Sequence, residues 1–254
     1  MQQNKNIISR NIMMTLSYDG SNYHGWQVQK NAITVQEVFQ KAHEKVLKHK
    51  VEIKGCSRTD SGVHANMYTV SFVTFNKIKC ENLVLATNKF LPGDIAVTSC
   101  KEVEKNFHAR YSCTGKEYIY RIWNKKTKNP FLKNYAFHYW YNLDINILKN
   151  TTKYFLGTHD FTSFATLDKR DPKNMVRTIE YLEIYSPKDG LIEIKIKADG
   201  FLYNMVRIIV GTLLRVAQGK IKPNDIENII KSKNRSLAGP TIPATGLYLN
   251  KVFY

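Results

Sequence analysis

The chain has few cysteines, and none of them stands in a pairing or metal-binding pattern. Cys56, Cys80, Cys100 and Cys113 are far apart, with no C-x-x-C pair and no histidine at metal-ligand spacing. Disulfide frameworks and zinc sites depend on such spacing. We therefore expect four unrelated structural thiols, no metal site and a reducing compartment, the cytoplasm.

Long apolar runs and nucleotide-binding loops are also absent. No charge-free stretch approaches the roughly 20 apolar residues of a membrane span, and the stretch Met1–Asn6 is polar, without the apolar core of a signal peptide. Nor is there a G-x-G-x-x-G after a strand, or a glycine loop ending in Lys-Ser or Lys-Thr. We expect no membrane partner, no export and no nucleotide cofactor.

Acidic residues are scarce relative to basic ones. Lys and Arg together number 38 against 21 Asp and Glu, a formal net charge of +17. Such an excess favours a polyanionic partner, nucleic acid first. A lysine surplus spread over a solvated surface would give the same total. The basic residues within 41–54 and 116–133 are candidate phosphate contacts, or simply solvated faces.

Strand and helix signals alternate in the first half of the chain. Thr34 with Glu37 three residues later forms a capping box, which predicts the start of an amphipathic helix of about four turns. The order of signals is strand, helix, strand, strand, helix, strand, as in a ferredoxin-like unit with an antiparallel sheet. Besides the capped helix, we predict strands at 13–18, 51–54, 68–75 and 95–100 and a helix at 81–90.

The second half, from Asn106, repeats the theme with longer pieces. A turn at 187–190 separates two β-prone runs, and residues 201–218 are apolar almost all round and end at Gly219, which predicts a buried helix with a glycine cap. We predict further strands at 116–123, 179–185, 192–198 and 246–253 and a short helix from Asn224. The fold class is therefore α+β: two ferredoxin-like subdomains, residues 1–105 and 106–254, with antiparallel sheets flanking a basic active-site cleft.

The most informative segment is Arg58-Thr59-Asp60-Ser61-Gly62-Val63-His64-Ala65. It gathers a cation, a carboxylate and a turn glycine into a loop between two predicted strands, and loops on a rigid scaffold are where sites are built. Taken alone, an Asp among small hydroxyl residues and followed by Gly is more often a turn than a catalyst. The local pattern leaves both interpretations open.

Further motifs follow in order along the chain. They are Tyr18-Asp19-Gly20, Gly25-Trp26-Gln27, Thr34-Val35-Gln36, Leu91-Pro92-Gly93-Asp94-Ile95, Phe107-His108-Ala109-Arg110, Gly157-Thr158-His159-Asp160-Phe161-Thr162-Ser163-Phe164, Gly200-Phe201-Leu202-Tyr203-Asn204-Met205-Val206-Arg207 and Gly246-Leu247-Tyr248-Leu249. Together with the R-T-D-x-G-V-H-A segment they resemble, nearly end to end, the TruA-type tRNA pseudouridine synthases.

The resemblance implies an isomerase that converts uridine to pseudouridine in the anticodon stem-loop of tRNA, without cofactor or metal, as a homodimer. It implies that Asp60 is the nucleophile and that Tyr118 stacks on the uracil. Arg58 is expected to keep Asp60 ionised or to bind a phosphate. Arg207 is the one charge between Phe201 and Val210, so it needs a partner, and by resemblance Asp60 is its counterion.

Structural interpretations of the same residues stay open. Tyr118 would serve equally in core packing, and Arg207 in a structural salt bridge. His64 is expected to hydrogen-bond within its own loop rather than to act in catalysis.

The chain also departs from the family pattern. Ser57 replaces the usual glycine before the arginine, which is tolerable at negative φ, and Asn66-Met67-Tyr68 replaces a stretch that commonly carries glycine and glutamine. The second change leaves room for a paralogue acting on ribosomal RNA. A non-catalytic RNA-binding protein is a third hypothesis, and the presence of Arg58, Asp60, Tyr118 and Arg207 together argues against it.

Overall fold

The structure is a computed structural model that describes residues 9–167 and 174–254. The chain divides into two compact units: the first runs to Cys113 and includes Tyr254, and the second is Thr114–Phe253. The stretch Met1–Asn6, on which the expectation about export depends, lies outside the described residues. Within the described ranges, no helix is both long enough and apolar enough to cross a membrane.

The first unit is an antiparallel sheet with two helices. The strands are ordered β4-β1-β3 with β2 beside β3, and each neighbouring pair is antiparallel. Every helix and strand predicted in this half is present, but the predicted strand at 51–54 is reduced to two residues, and β3 begins four residues earlier than expected. The elements are β1 (Arg10–Tyr18), α1 (Val35–Leu47), β2 (Lys54–Gly55), β3 (His64–Thr74), α2 (Cys80–Asn88) and β4 (Ile95–Val103).

Helix α1 begins where the capping signal predicts. The Thr34 side chain accepts a hydrogen bond from the Glu37 amide at 3.4 Å, which satisfies one of the free N–H groups of the first turn. The buried face of α1 carries Val35, Phe39 and Ala42, as expected, and also His43, whose side chain is fully buried. A titratable group therefore lies in the core of the first unit.

The second unit is a longer antiparallel sheet, ordered β10-β5-β9-β8-β7, with the short β6 parallel to β5. The predicted turn joins β8 to β9. Strands β6 and β7 and helix α3 were not predicted. The elements are β5 (Gly115–Trp123), β6 (Phe137–His138), α3 (Ile145–Thr152), β7 (Gly157–Asp160), β8 (Val176–Lys188), β9 (Leu191–Ala198), α4 (Met205–Ala217), α5 (Asp225–Ser232) and β10 (Leu247–Phe253).

The apolar helix α4 is shorter than predicted. It starts at Met205 rather than Phe201, because Asn204 takes a left-handed conformation with φ of +62° that helical residues do not adopt. At its other end, Gly219 has φ of +69° and its amide donates to the Val216 carbonyl at 2.9 Å, which confirms the predicted glycine cap. The core of the second unit packs on this helix.

We predict that His43 makes the protein sensitive to acid. Burial lowers the pKa of His43 from 6.5 to about 4, so the unfolded chain binds the proton first as pH falls. The free energy of unfolding should be retained above about pH 6.5 and should fall by up to about 3 kcal/mol as the pH drops from 6.5 toward 4. Urea unfolding at a series of pH values would measure this loss.

His43→Gln should flatten the pH dependence, since it removes the titrating ring, whereas the same change at the exposed His24 should leave the dependence as in the wild type. An equal loss of stability on acidification in wild type and His43→Gln would contradict the prediction.

Candidate active site

Arg58 and Asp60 lie in the loop that joins β2 to β3 in the first unit. The Val63 amide donates to the Asp60 carbonyl at 3.2 Å, and Gly62 has φ of +77°, so the segment closes as a tight turn. Arg58 is exposed and Asp60 is half-buried. The segment therefore forms the turn that its residues predict, and Asp60 occupies the first position of that turn.

A second segment of the first unit binds this loop through its backbone. The Trp26 amide donates to the Thr59 carbonyl at 3.2 Å, and the Gly62 amide donates to the Tyr23 carbonyl at 3.2 Å. Gly25, with φ of +79°, packs so closely that a Cβ there would lie 2.2 Å from the Thr59 oxygen. Only glycine fits at this position, which explains why Gly25-Trp26 and the Arg58–Ala65 motif occur together.

Tyr23 is itself held in place. Its hydroxyl donates to Asp94 Oδ1 at 2.7 Å, and burial, reinforced by that hydrogen bond, raises the pKa of the phenol above its ordinary value. Tyr23 therefore remains a hydrogen-bond donor at neutral pH. Through this contact the Leu91–Ile95 motif supports the loop that carries Asp60.

Three buried aromatic rings lie beneath the loop. The rings of Trp26 and Tyr68 stack with centroids 4.0 Å apart, and Tyr18 lies 5.7 Å from Tyr68. The Tyr18 hydroxyl is 3.0 Å from Thr59 Oγ1, and the Tyr68 hydroxyl donates to the Ser57 carbonyl. The aromatic residues thus hold the chain at the Thr59 side chain and at the Ser57 carbonyl, one and three residues before Asp60.

His64 is the first residue of β3 rather than part of the loop. Its Nδ1 lies 3.1 Å from both the Gly20 amide nitrogen and Asp19 Oδ1. Unprotonated, this nitrogen accepts from Gly20; protonated, it donates to Asp19. The ring therefore reaches across to the turn that follows β1, a contact that the sequence did not indicate.

The two departures from the family pattern have distinct surroundings. In the described ranges, positive φ outside glycine occurs at Lys48, Asn204 and Lys233, so Ser57 has an ordinary backbone and the replacement of glycine is tolerated. Met67 is 40% exposed, whereas Tyr68 is fully buried under the loop. The structural role of Tyr68 was not predicted. Successive side chains of a strand point to opposite faces, so the alternation between Met67 and Tyr68 was the sequence signal that could have indicated it.

Tyr118 lies on β5 in the second unit. Its side chain is 8% exposed, and its ring meets Phe201 edge-on with centroids 5.1 Å apart and planes at 84°. Across the sheet it stands opposite Ile196 and Leu249. These contacts are those of a packed core residue whose ring has little freedom to turn.

Arg207 lies in the first turn of α4, also in the second unit, and is half-buried. Its Nε donates to the Ile242 carbonyl and one terminal nitrogen donates to Asn204 Oδ1, both at 2.7 Å. The neighbouring Tyr120 hydroxyl donates to the Pro243 carbonyl at 2.7 Å. Two hydrogen bonds therefore orient the planar group of Arg207, and the expectation that Asp60 is its counterion stays a prediction.

The described residues contain neither a metal-binding group nor paired cysteines. Over residues 9–167 and 174–254 there is no group of three or more His, Cys, Asp or Glu side chains that could hold a metal ion. The four cysteines are free thiols, and burial together with a hydrogen bond to Cys80 raises the pKa of Cys100 above its ordinary value.

Comparison with known proteins identifies the family. A family model described as tRNA pseudouridine synthase matches residues 14–112 and 152–254. The chain is 50% identical to tRNA pseudouridine synthase A of Thermoanaerobacter sp. (strain X514) and 45% identical to tRNA pseudouridine synthase A of Clostridium acetobutylicum. Each similarity spans 245 residues, 96% of this chain and 100% of the relative.

A solved structure gives a much weaker match. A chain from a crystal structure of a Cbf5-Nop10-Gar1 complex is 12% identical with a TM-score of 0.35, over 93% of this chain and 57% of that one. A TM-score and an identity this low do not bear on function. The family assignment depends instead on the near full-length matches and on the motifs assembled around Asp60: the chain belongs to the TruA family of tRNA pseudouridine synthases, which are isomerases.

Proposed function

We propose that this enzyme converts uridine to pseudouridine in the anticodon stem-loop of tRNA, with the Asp60 carboxylate as the nucleophile. The observation that carries the proposal is the support of one short turn: hydrogen bonds to the carbonyls of Ser57, Thr59 and Tyr23 hold the segment on both sides of Asp60. A reacting group must be held within a fraction of an ångström of its working position. This loop has that kind of support.

The reaction needs only a nucleophile and a cavity that retains the base. Attack of the carboxylate on ribose C1′ breaks the bond to uracil N1. The base then turns, C5 bonds to C1′ in place of N1, the carboxylate leaves, and the proton on C5 is lost as N1 gains one. No group is transferred and no redox state changes, so the reaction itself requires neither a nucleotide cofactor nor a metal.

The other site residues take roles that suit their surroundings. Arg58 is exposed beside Asp60, a position suited to a backbone phosphate. Tyr118 offers a ring held by Phe201 for stacking on uracil. Arg207, oriented by Ile242 and Asn204, can supply positive charge to a carboxylate or to RNA. Because a paired nucleotide must leave its stack to react, aromatic and arginine groups are also the ones that would hold it outside the helix.

The finer description of the fold and assembly belongs to the same proposal. We infer that the first unit is ferredoxin-like, which its strand order β4-β1-β3-β2 and the two helices that connect its strands support. We also infer that the second unit is ferredoxin-like and completes a basic cleft. The resemblance to the family further implies a homodimer in the cytoplasm.

A paralogue with the same chemistry on ribosomal RNA is the second candidate. The observation in its favour is Met67, which is 40% exposed, close in sequence to the loop of Asp60, and part of the stretch that departs from the family pattern. Mapping of pseudouridine in cells that lack the gene distinguishes the two. Loss at anticodon-arm uridines supports the tRNA assignment, and loss confined to ribosomal RNA supports the paralogue.

We predict that Asp60→Asn abolishes turnover on tRNA transcripts while leaving the fold and RNA affinity unchanged. The amide keeps the shape and hydrogen-bonding capacity of the side chain but removes the charge that makes it a nucleophile. Asp60→Glu keeps the charge but moves it by about 1 Å, which should cost on the order of 100-fold in rate. Near wild-type conversion by the Asn variant would falsify the assignment.

Arg207 should matter for both activity and stability. Arg207→Ala removes the donors to the partly buried Ile242 carbonyl and to Asn204, which should cost about 1–3 kcal/mol. Arg207→Lys restores the charge without the planar fork, so it should recover part of the stability and little of the activity. Thermal unfolding and single-turnover rates measured on both variants test this, and a fully active Lys variant would show that only the charge matters.

A further inference from the structure

A run of aromatic residues in the second unit, apart from the proposed catalytic residues, carries two exposed rings next to a buried one, Tyr139. Trp140 and Tyr141 are 57% and 54% exposed, with ring centroids 5.3 Å apart. Tyr139 lies 5.5 Å from Tyr141, and Phe137 lies 6.1 Å from Tyr139. We call residues 137–141 the aromatic strip. Neighbouring rings with exposed faces are unusual on a protein surface unless a partner covers them.

A basic turn lies alongside the aromatic strip. The Asn124 side-chain amide donates to the carbonyls of Tyr139 and Tyr141 at 2.7 and 2.8 Å, and a ring nitrogen of His138 is 2.9 Å from the Lys125 carbonyl. This turn continues into Lys126 and Lys128, which are both exposed. The segments that carry the exposed rings and the exposed lysines are therefore adjacent.

The charge on this surface has one sign. From Trp123 to Leu143 the sequence contains four lysines, at 125, 126, 128 and 133, and no acidic residue. Asp189 approaches from the β8–β9 turn and pairs with Lys125 at 2.7 Å, while Asp144 accepts hydrogen bonds from the first amides of α3. Lys126 and Lys128 are thus available to an incoming anion.

We propose that the aromatic strip and the basic turn form an RNA-binding surface for unpaired nucleotides, with bases stacking on Trp140 and Tyr141 and phosphates on Lys126 and Lys128. Exposed aromatic faces interleaved with lysines are the means by which proteins bind single-stranded nucleic acid without reading its sequence. The surface lies between the two parts of the chain that match the family model, residues 14–112 and 152–254. The inference depends on the proposed function only in taking RNA as the partner.

A second copy of this chain is the competing occupant, and charge disfavours it. Around a twofold axis the same patch meets itself, which brings the lysines of both copies into one interface. Like charges in contact oppose association, and lysine is depleted in the cores of protein interfaces. The negatively charged phosphates of RNA would instead attract these lysines.

The test compares Trp140→Ala/Tyr141→Ala with Tyr185→Ala in the full-length protein. Tyr185 is a matched control, because it is 42% exposed in the same unit but bonds to Glu183. Affinity is measured with an unmodified tRNA transcript and with a short oligouridylate. Loss of two stacking contacts should raise the Kd for both RNAs about tenfold or more, while the control stays at the wild-type value.

Lys126→Gln/Lys128→Gln should lower the slope of log K against log salt by roughly 1.5, since about 0.7 to 0.9 is lost per phosphate contact. Sedimentation at matched concentration reports the oligomeric state. Unchanged RNA affinity in the aromatic double variant would overturn the proposal, and so would a loss of affinity that accompanies dissociation of the protein. Asp60→Asn serves as an independent check: if it abolishes turnover while the aromatic variant binds normally, this surface fails and the proposed function stands.

Discussion

The structure around the candidate nucleophile depends on one close contact, the approach of the Gly25 backbone to the Thr59 carbonyl. No side chain fits between the two backbone segments at this point, because a Cβ on Gly25 would lie only 2.2 Å from the Thr59 carbonyl oxygen. The contact brings the Trp26 amide within hydrogen-bonding distance of Thr59 and seats the indole on Tyr68. The turn at Asp60 is therefore held by a distant stretch of sequence as well as by its own hydrogen bond from Val63.

Much of the fold could be predicted because its signals are local. The Thr34 side chain at the start of α1, the glycine after α4 and the turn between β8 and β9 each satisfy backbone groups within a few residues, and all three appear where the sequence predicts. The start of α4 could not be predicted in this way. Residues 201–203 continue the apolar character of the helix that follows, and the left-handed backbone of Asn204 separates them from it.

The site was predictable as a set of residues but not as a geometry. Motif order indicated Asp60 and its neighbours, whereas the partners of His64 lie in the turn after β1, more than forty residues away, and no local pattern indicates such a contact. Tyr68 is a second residue whose contacts could not be predicted from the sequence. Its departure from the family pattern is visible in the sequence, but its hydrogen bond to Ser57 depends on how β3 lies under the loop.

The packing around Tyr68 also limits how this enzyme can be altered. Gly55 lies where an added Cβ would be 2.3 Å from the Tyr68 hydroxyl and 2.6 Å from the Trp26 indole nitrogen. The glycine, the tyrosine and the tryptophan therefore share one volume. A smaller residue at position 68 would leave that volume underfilled, and any larger residue at 55 would push the ring out of it. An engineer exchanging substrate loops between members of the family would have to move all three residues as one block.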